Sequence, residues 1–175
     1  MKVIRIFPFL VLIFLQACAN PSIVNVREEL ASEIPSNAVI FVPRFEGNPD
    51  FVEESTDYFV SILEGSVDNR IVQGSVLRQE STDIASGGNL APVEMALNLS
   101  RERGYGVLVM GKVTSHKTAG TLNGFSTVRI YNVETGARIA NFHRPSGLLI
   151  AYSEHQCVMA AVERTAGDAA KVFAQ

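Results

Sequence analysis

Residues 92–114, PVEMALNLSRERGYGVLVMGKVT, carry two different hydrophobic periods within one short stretch. Val93, Ala96, Leu97 and Ser100 recur at the three- and four-residue spacing that places them on one face of a helix, and Gly104 stands just past its last turn. Val107-Leu108-Val109-Met110 then follows, apolar at every position, as a strand covered on both faces must be. The strand is expected to run to Thr114. A helix feeding directly into a central strand is the repeating unit of an α/β domain.

Working outward toward the amino terminus, Ala38–Val42 (AVIFV) is a compact β-rich run closed by Pro43, which cannot continue a ladder. Asn48-Pro49 supplies an N-cap and a first-turn proline. Phe51, Val52, Ser55, Tyr58, Phe59, Ile62 and Leu63 then face one side of a helix that Gly65 stops. Arg70–Arg78 (RIVQGSVLR) alternates as a further strand, and Ser81–Asn89, with Gly87-Gly88, reads as a loop. Toward the carboxyl terminus, Phe125–Val133 and Ala137–His143 form a hairpin around Glu134-Thr135-Gly136. Ser153-Glu154-His155-Gln156 is a capping box. It opens a helix reaching about Phe173, with Val158, Ala161, Val162, Thr165, Ala166, Ala169, Val172 and Phe173 turned inward. The expectation is an α/β two-layer sandwich with a mixed sheet in the order βαβαββα, spanning residues 38–175.

At 175 residues the chain accommodates one such domain. Its 15 Lys+Arg against 18 Asp+Glu leave a formal charge of −3, with no basic cluster, so nucleic acid is excluded as a partner. With 8% aromatic residues and no low-complexity runs, the composition is that of a packed domain and not of a disordered chain.

The first residues read as an address. Lys2 and Arg5 precede ten consecutive apolar residues, Ile6–Leu15, too few for the roughly 20 that span a bilayer. A charged start, a short apolar middle and a small residue before Cys18 fit an export signal. Leu15-Gln16-Ala17-Cys18 resembles the bacterial lipobox, although a small residue is more usual where Gln16 stands. That resemblance implies cleavage after residue 17 and lipidation of Cys18, with acyl chains such as palmitate holding the protein in a membrane. Each buried methylene contributes about 0.8 kcal/mol, so several chains anchor a protein firmly where one does not. The alternative is a plain cleaved signal in which Cys18 is incidental. Ala19 is not the Asp of an inner-membrane retention signal, so the expected site is the outer membrane, with the domain facing the periplasm. Residues 18–37 are then lipidated cysteine and tether. The polar stretch 19–37, bracketed by Pro21 and Pro35 and with room for a helical turn near Arg27–Glu33, would reach about 60 Å fully extended at roughly 3.3 Å per residue. A lipidated Cys18 also leaves Cys157 without a disulfide partner, so stability has to come from packing.

Several segments together resemble one superfamily of bacterial envelope proteins. They are Ala38–Val42, the helix ending near Leu63, Ala96–Val113 (ALNLSRERGYGVLVMGKV) and the hairpin VRIYNVETGARIANF. The group contains the curli-secretion channel subunit, the LpoB-type activators of penicillin-binding proteins and the TolB amino-terminal domain. The resemblance covers about residues 37–173, and its motifs are turns, packing glycines and small helical residues, which speak for fold before activity. It implies a non-catalytic accessory or assembly lipoprotein that binds protein partners of a secretion, appendage or cell-wall machine, and it allows a homo-oligomer. An alternative is an oligomeric outer-membrane channel subunit, although the link between Thr114 and Phe125 is short for a membrane-spanning insertion.

The remaining candidates for chemistry are few. Gly106 to Gly111-Lys112 has P-loop spacing, but Val113 stands where a magnesium-binding hydroxyl belongs and the intervening residues are strand formers. Packing glycines are the expected reading, with no cofactor. Glu154, His155 and Cys157 open the last helix, where positions two apart do not share a face. An enzyme built on Cys157 would therefore need His143 or His116 as its base; a half-buried structural thiol is the expectation. The three histidines lack zinc-ligand spacing, so no metal is expected. Asp50, Glu53, Glu54 and Asp57 read as a solvated helix face favoured by the macrodipole, and Arg101 and Arg103 as cations at a helix end.

Overall fold

The computed structural model describes residues 22–74, 92–118, 121–147 and 153–174. The signal segment, Cys18, the loop 81–89 and residues 75–78 of the second expected strand lie outside them. In chain order the elements are β1 (Ile23–Val26), α1 (Glu28–Ala31), β2 (Ile40–Pro43), β3 (Glu46–Gly47), α2 (Pro49–Glu64), β4 (Ile71–Gly74), α3 (Pro92–Glu102), β5 (Val107–Thr118), β6 (Thr121–Asn132), β7 (Arg138–Pro145) and α4 (Glu154–Phe173). One mixed seven-stranded sheet runs β1-β7-β6-β5-β2-β4, with β3 beside β5. β2, β4 and the amino-terminal part of β5 are parallel, whereas β5, β6, β7 and β1 form an antiparallel meander. The chain is an α/β protein with a mixed sheet, as its sequence leads one to expect.

Local chemistry accounts for the helix ends. Asn48 accepts a hydrogen bond from the Asp50 amide (3.1 Å) ahead of Pro49, and Ser153 accepts one from the Gln156 amide (3.2 Å). The Glu134-Thr135-Gly136 turn closes with the Gly136 amide on the Asn132 carbonyl (2.9 Å), and Gly136 takes a φ of +71° that favours glycine.

Alternation along the strands divides the core. Ile40, Val42, Val107, Val109, Val113, Val128, Ile130 and Phe142 point toward α2 and α4. Phe41, Leu108 and Tyr131 point the other way and meet Ala96 and Leu97 of α3. Most of the packing is between the sheet and the α2/α4 layer, and α3 covers only one end of the opposite face. α4 presents Val158, Ala161, Val162, Thr165, Ala166, Ala169 and Val172 to the sheet, all fully or nearly fully buried. Gly124 lets it come close: a Cβ there would lie 2.4 Å from the Cys157 carbonyl carbon.

Three features differ from the sequence reading. Residues 23–26 are not free tether. They pair antiparallel with β7, Ile23 opposite His143 and Val26 opposite Ala140, and α1 follows within the expected Arg27–Glu33 turn. The folded body therefore begins well ahead of residue 38, and only four residues separate Cys18 from the first strand. β5 and β6 also continue past Thr114 and before Phe125, pairing as far as Thr118 opposite Thr121, so the expected link is mostly hairpin. Third, Tyr58 is 36% exposed, and Thr56 and Val60 take inward positions on α2 instead. Thr56 is tolerated there because its hydroxyl donates to the Val52 carbonyl (2.6 Å) and accepts from the Phe45 amide (3.0 Å).

The close approach at Gly124 has a measurable counterpart. Gly124→Ala should destabilise the protein by about 1–3 kcal/mol, because strand and helix must separate. A Cβ on Gly167, also in α4, would meet nothing within 4 Å. Gly167→Ala should therefore stabilise by about 0.5–1 kcal/mol through helix propensity. Urea unfolding midpoints of the two variants check the opposite signs.

Candidate functional site

The half of the sheet that α3 leaves open collects the polar positions of the antiparallel strands. Because side chains alternate, β5 contributes Met110, Lys112, Thr114 and His116 to this face, β6 contributes Phe125, Thr127 and Arg129, β7 contributes Asn141 and His143, and β1 contributes Ile23 and Asn25. Lys112, Arg129 and His116 are exposed, and Phe125, Thr127 and His143 are half-buried.

The Phe125 ring sits between two histidines. His143 stacks on it at 5.6 Å between centroids and 11° between planes, and His116 lies tilted on the other side at 5.7 Å. Thr127 Oγ1 and His143 Nδ1 share a 2.9 Å hydrogen bond, which orients the imidazole. Toward α3 the face deepens into a cavity of about 330 Å³, lined by Glu46, Met110, Lys112, Thr114, Thr127 and Arg129 among others. Lys112 and Arg129 form no ion pair among the described residues, and Glu46 is the acidic group in the lining. Chemically this face combines two cations, hydroxyls and an aromatic ring on one sheet.

The residues singled out in the sequence fall in separate places. His116 and His143 come together at Phe125. Cys157 does not join them: it is 1% exposed on the sheet-facing side of α4, its thiol donating to the Leu122 carbonyl at 3.5 Å, and the sheet separates it from both histidines. The cysteine–histidine pair that an enzyme on Cys157 would need is not formed. His155 pairs instead with Glu54 (2.8 Å) at the surface. The acidic face of α2 resolves into individual ties: Glu53 to Arg44 (3.5 Å), Glu54 to His155, and Asp57 accepting from Gln73 (2.6 Å). Arg101 Nε donates to the Val133 carbonyl (2.9 Å) beyond α3, and Arg103 is exposed in the turn that follows.

Gly111 and Gly106 are packing glycines. A Cβ on Gly111 would lie 2.2 Å from the Phe45 ring, and one on Gly106 would lie 3.0 Å from Ala38 Cβ. The open face itself was missed by the sequence reading. Its signal was the alternation Lys112, Thr114, His116 and Phe125, Thr127, Arg129, split across a segment read partly as a loop.

No protein-family model matches the chain, and no curated protein does. Solved structures match its fold. Dodecameric PelC from Paraburkholderia phytofirmans, in two crystal forms, superposes with TM-scores of 0.57 and 0.54 at 10% and 9% identity, over 85% of this chain and 98% of that one. The LpoB C-terminal domain from Salmonella enterica matches 69% of this chain and 94% of its own at 14% identity and a TM-score of 0.42. TolB from Acinetobacter baumannii matches 86% of this chain and 30% of its own at 11% identity and a TM-score of 0.44. At these identities the likeness to PelC is one of fold.

Burial of Cys157 sets its reactivity. In the Cys18→Ser protein, a maleimide should leave the Cys157 thiol untouched in buffer and modify it fully in denaturant; fast labelling of the native protein would contradict its placement under α4.

Proposed function

We propose that the protein is a lipid-anchored, periplasm-facing accessory lipoprotein that binds protein partners of a cell-envelope machine. The observation that carries this reading is Leu15-Gln16-Ala17-Cys18 directly after a short apolar run. A fold shared with PelC supports it, as does an open sheet face built for contact. The physical role is tethering: acyl chains on Cys18 confine the domain to a thin layer above the leaflet and so raise its effective concentration for any assembly within that layer.

A homo-oligomeric form is favoured by one further finding, the dodecameric state of PelC. A ring of membrane-crossing strands fits less well. β5 and β6, at 12 residues each, are long enough. However, Val107, Val109, Val113, Val128 and Ile130 on one face are committed to the α2/α4 core. The other face would offer Lys112 and Arg129 to lipid, each costing about 2–4 kcal/mol near the bilayer midplane. The oligomer proposed is thus a soluble-faced ring or cluster beside the membrane.

In cells, Cys18→Ser should abolish palmitate incorporation and release the protein from the sedimenting envelope fraction, while crosslinking of the unaltered protein should trap envelope proteins or further copies of itself. An altered protein that is processed as before and still sediments would refute the reading.

A further inference from the structure

β1 is the last strand at its end of the sheet, and no described strand pairs with its outer side. The Arg27 amide donates to the Ile139 carbonyl at 2.9 Å, while Asn25 and Ile23 stand opposite Asn141 and His143. Hydrogen-bonded positions alternate in an antiparallel ladder. The backbone groups of Ile23, Asn25 and Arg27 therefore face β7, and the amides and carbonyls of Val24 and Val26 face outward. Such a row is a template for another strand.

Edge strands that must stay single are blunted by lysine, proline or a bulge. Ile23-Val24-Asn25-Val26 has none of these. Of the three large hydrophobic residues left exposed among those described, Ile23 (47%) and Val24 (51%) are consecutive on this strand, one on each face of the sheet. An added strand covers both.

A register centred on Asn25 makes the edge self-complementary. A two-fold axis perpendicular to the sheet at that residue sets every side chain opposite one on its own face. Val24 then exchanges backbone hydrogen bonds with Val26 of the partner subunit, and the two side chains pack together. Asn25 meets Asn25 of the partner subunit, two amides that each donate and accept. Ile23 lies along the aliphatic stem of Arg27 of the partner subunit, so no like charges are opposed. Charge matches just beyond the strand as well. Glu28 and Glu29 are exposed and in no ion pair among the described residues. The axis carries them toward Ser22 of the other copy, the residue to which Arg144 donates. A foreign strand would have to match each of these positions separately; a second copy matches them by symmetry.

We infer that the free edge of β1 is a two-fold contact between copies of this chain, paired antiparallel about Asn25 so that the sheet continues from one copy into the next. This rests on the homo-oligomeric form proposed above, for which it names the surface and the register.

The test uses the full-length chain in envelopes isolated from cells. Asn25→Cys places two thiols across the axis at a non-hydrogen-bonded site, about 4.5 Å between Cα atoms and within disulfide reach. Mild oxidation should convert most of this protein into a covalent dimer, with the disulfide located between the two residues 25 by mass spectrometry. Tyr58→Cys on α2, treated alike, should give several-fold less. Val24→Lys, added to Asn25→Cys, changes a side chain that already faces solvent; it should leave the circular dichroism spectrum unchanged and lower the dimer yield several-fold. Residue 25 linked no more than residue 58, linked equally in the Val24→Lys protein, or linked to a different protein overturns the inference. If light scattering of the detergent-extracted protein then still finds an oligomer, the homo-oligomeric form stands and this surface alone is refuted; a monomer refutes both.

Discussion

The contact between α4 and the sheet is the constraint on which the rest of the molecule depends. α4 offers a stripe of alanine, valine and threonine, and Gly124 on β6 carries no side chain to hold it off. Ser126 on β6 and Thr165 on α4 share a 2.8 Å hydrogen bond inside this interface, so this buried hydroxyl pair is satisfied. With one face of β5, β6 and β7 committed to α4 and α2, strand alternation leaves the other face to Lys112, His116, Phe125, Thr127, Arg129 and His143. This polar face is thus a consequence of the core, and any substitution that shifts α4 also moves the strands that carry it.

Edge pairing bears equally directly on the proposed anchoring. A tether of 19 residues would let the domain sample a wide shell above a membrane, whereas from Ile23 on that stretch is folded, β1 against β7 and α1 after it. Fully extended, the five residue steps from Cys18 to Ile23 would reach about 17 Å at roughly 3.3 Å each. The domain envisaged is held against its leaflet, and a partner has to come to the membrane to meet it. Arg144 reinforces the arrangement by joining Ser22, just ahead of β1, to Asp168 of the last helix.

The parts legible in the sequence are those with strong local chemistry. Asn48-Pro49 and the Ser153 capping box marked α2 and α4, Gly136 marked the β6–β7 turn, and the apolar run at Val107–Met110 marked the central strand. β1 escaped because IVNV is an edge strand with three exposed residues, so nothing in its hydrophobic pattern separates it from a linker. Residues 115–118 and 121–124 escaped for a related reason: their inward positions include Ser115, which bonds Glu154, and Gly124, neither of which reads as core. Cys157 is more deeply buried than the half-buried thiol its sequence suggests, and only the three-dimensional separation by the sheet shows that His116 and His143 lie beyond its reach. The grouping of those histidines around Phe125 depends on diagonal cross-strand register, which no local pattern encodes.

The claim that the domain is tied to a membrane by its own first mature residue is tested most directly by the intact mass of the protein extracted from cells. The mass should equal that of residues 18–175 plus a diacylglyceryl group and an amide-linked acyl chain, with the modification localised to Cys18 by fragmentation. A mature chain beginning at any other residue, or at an unmodified Cys18, would contradict the account.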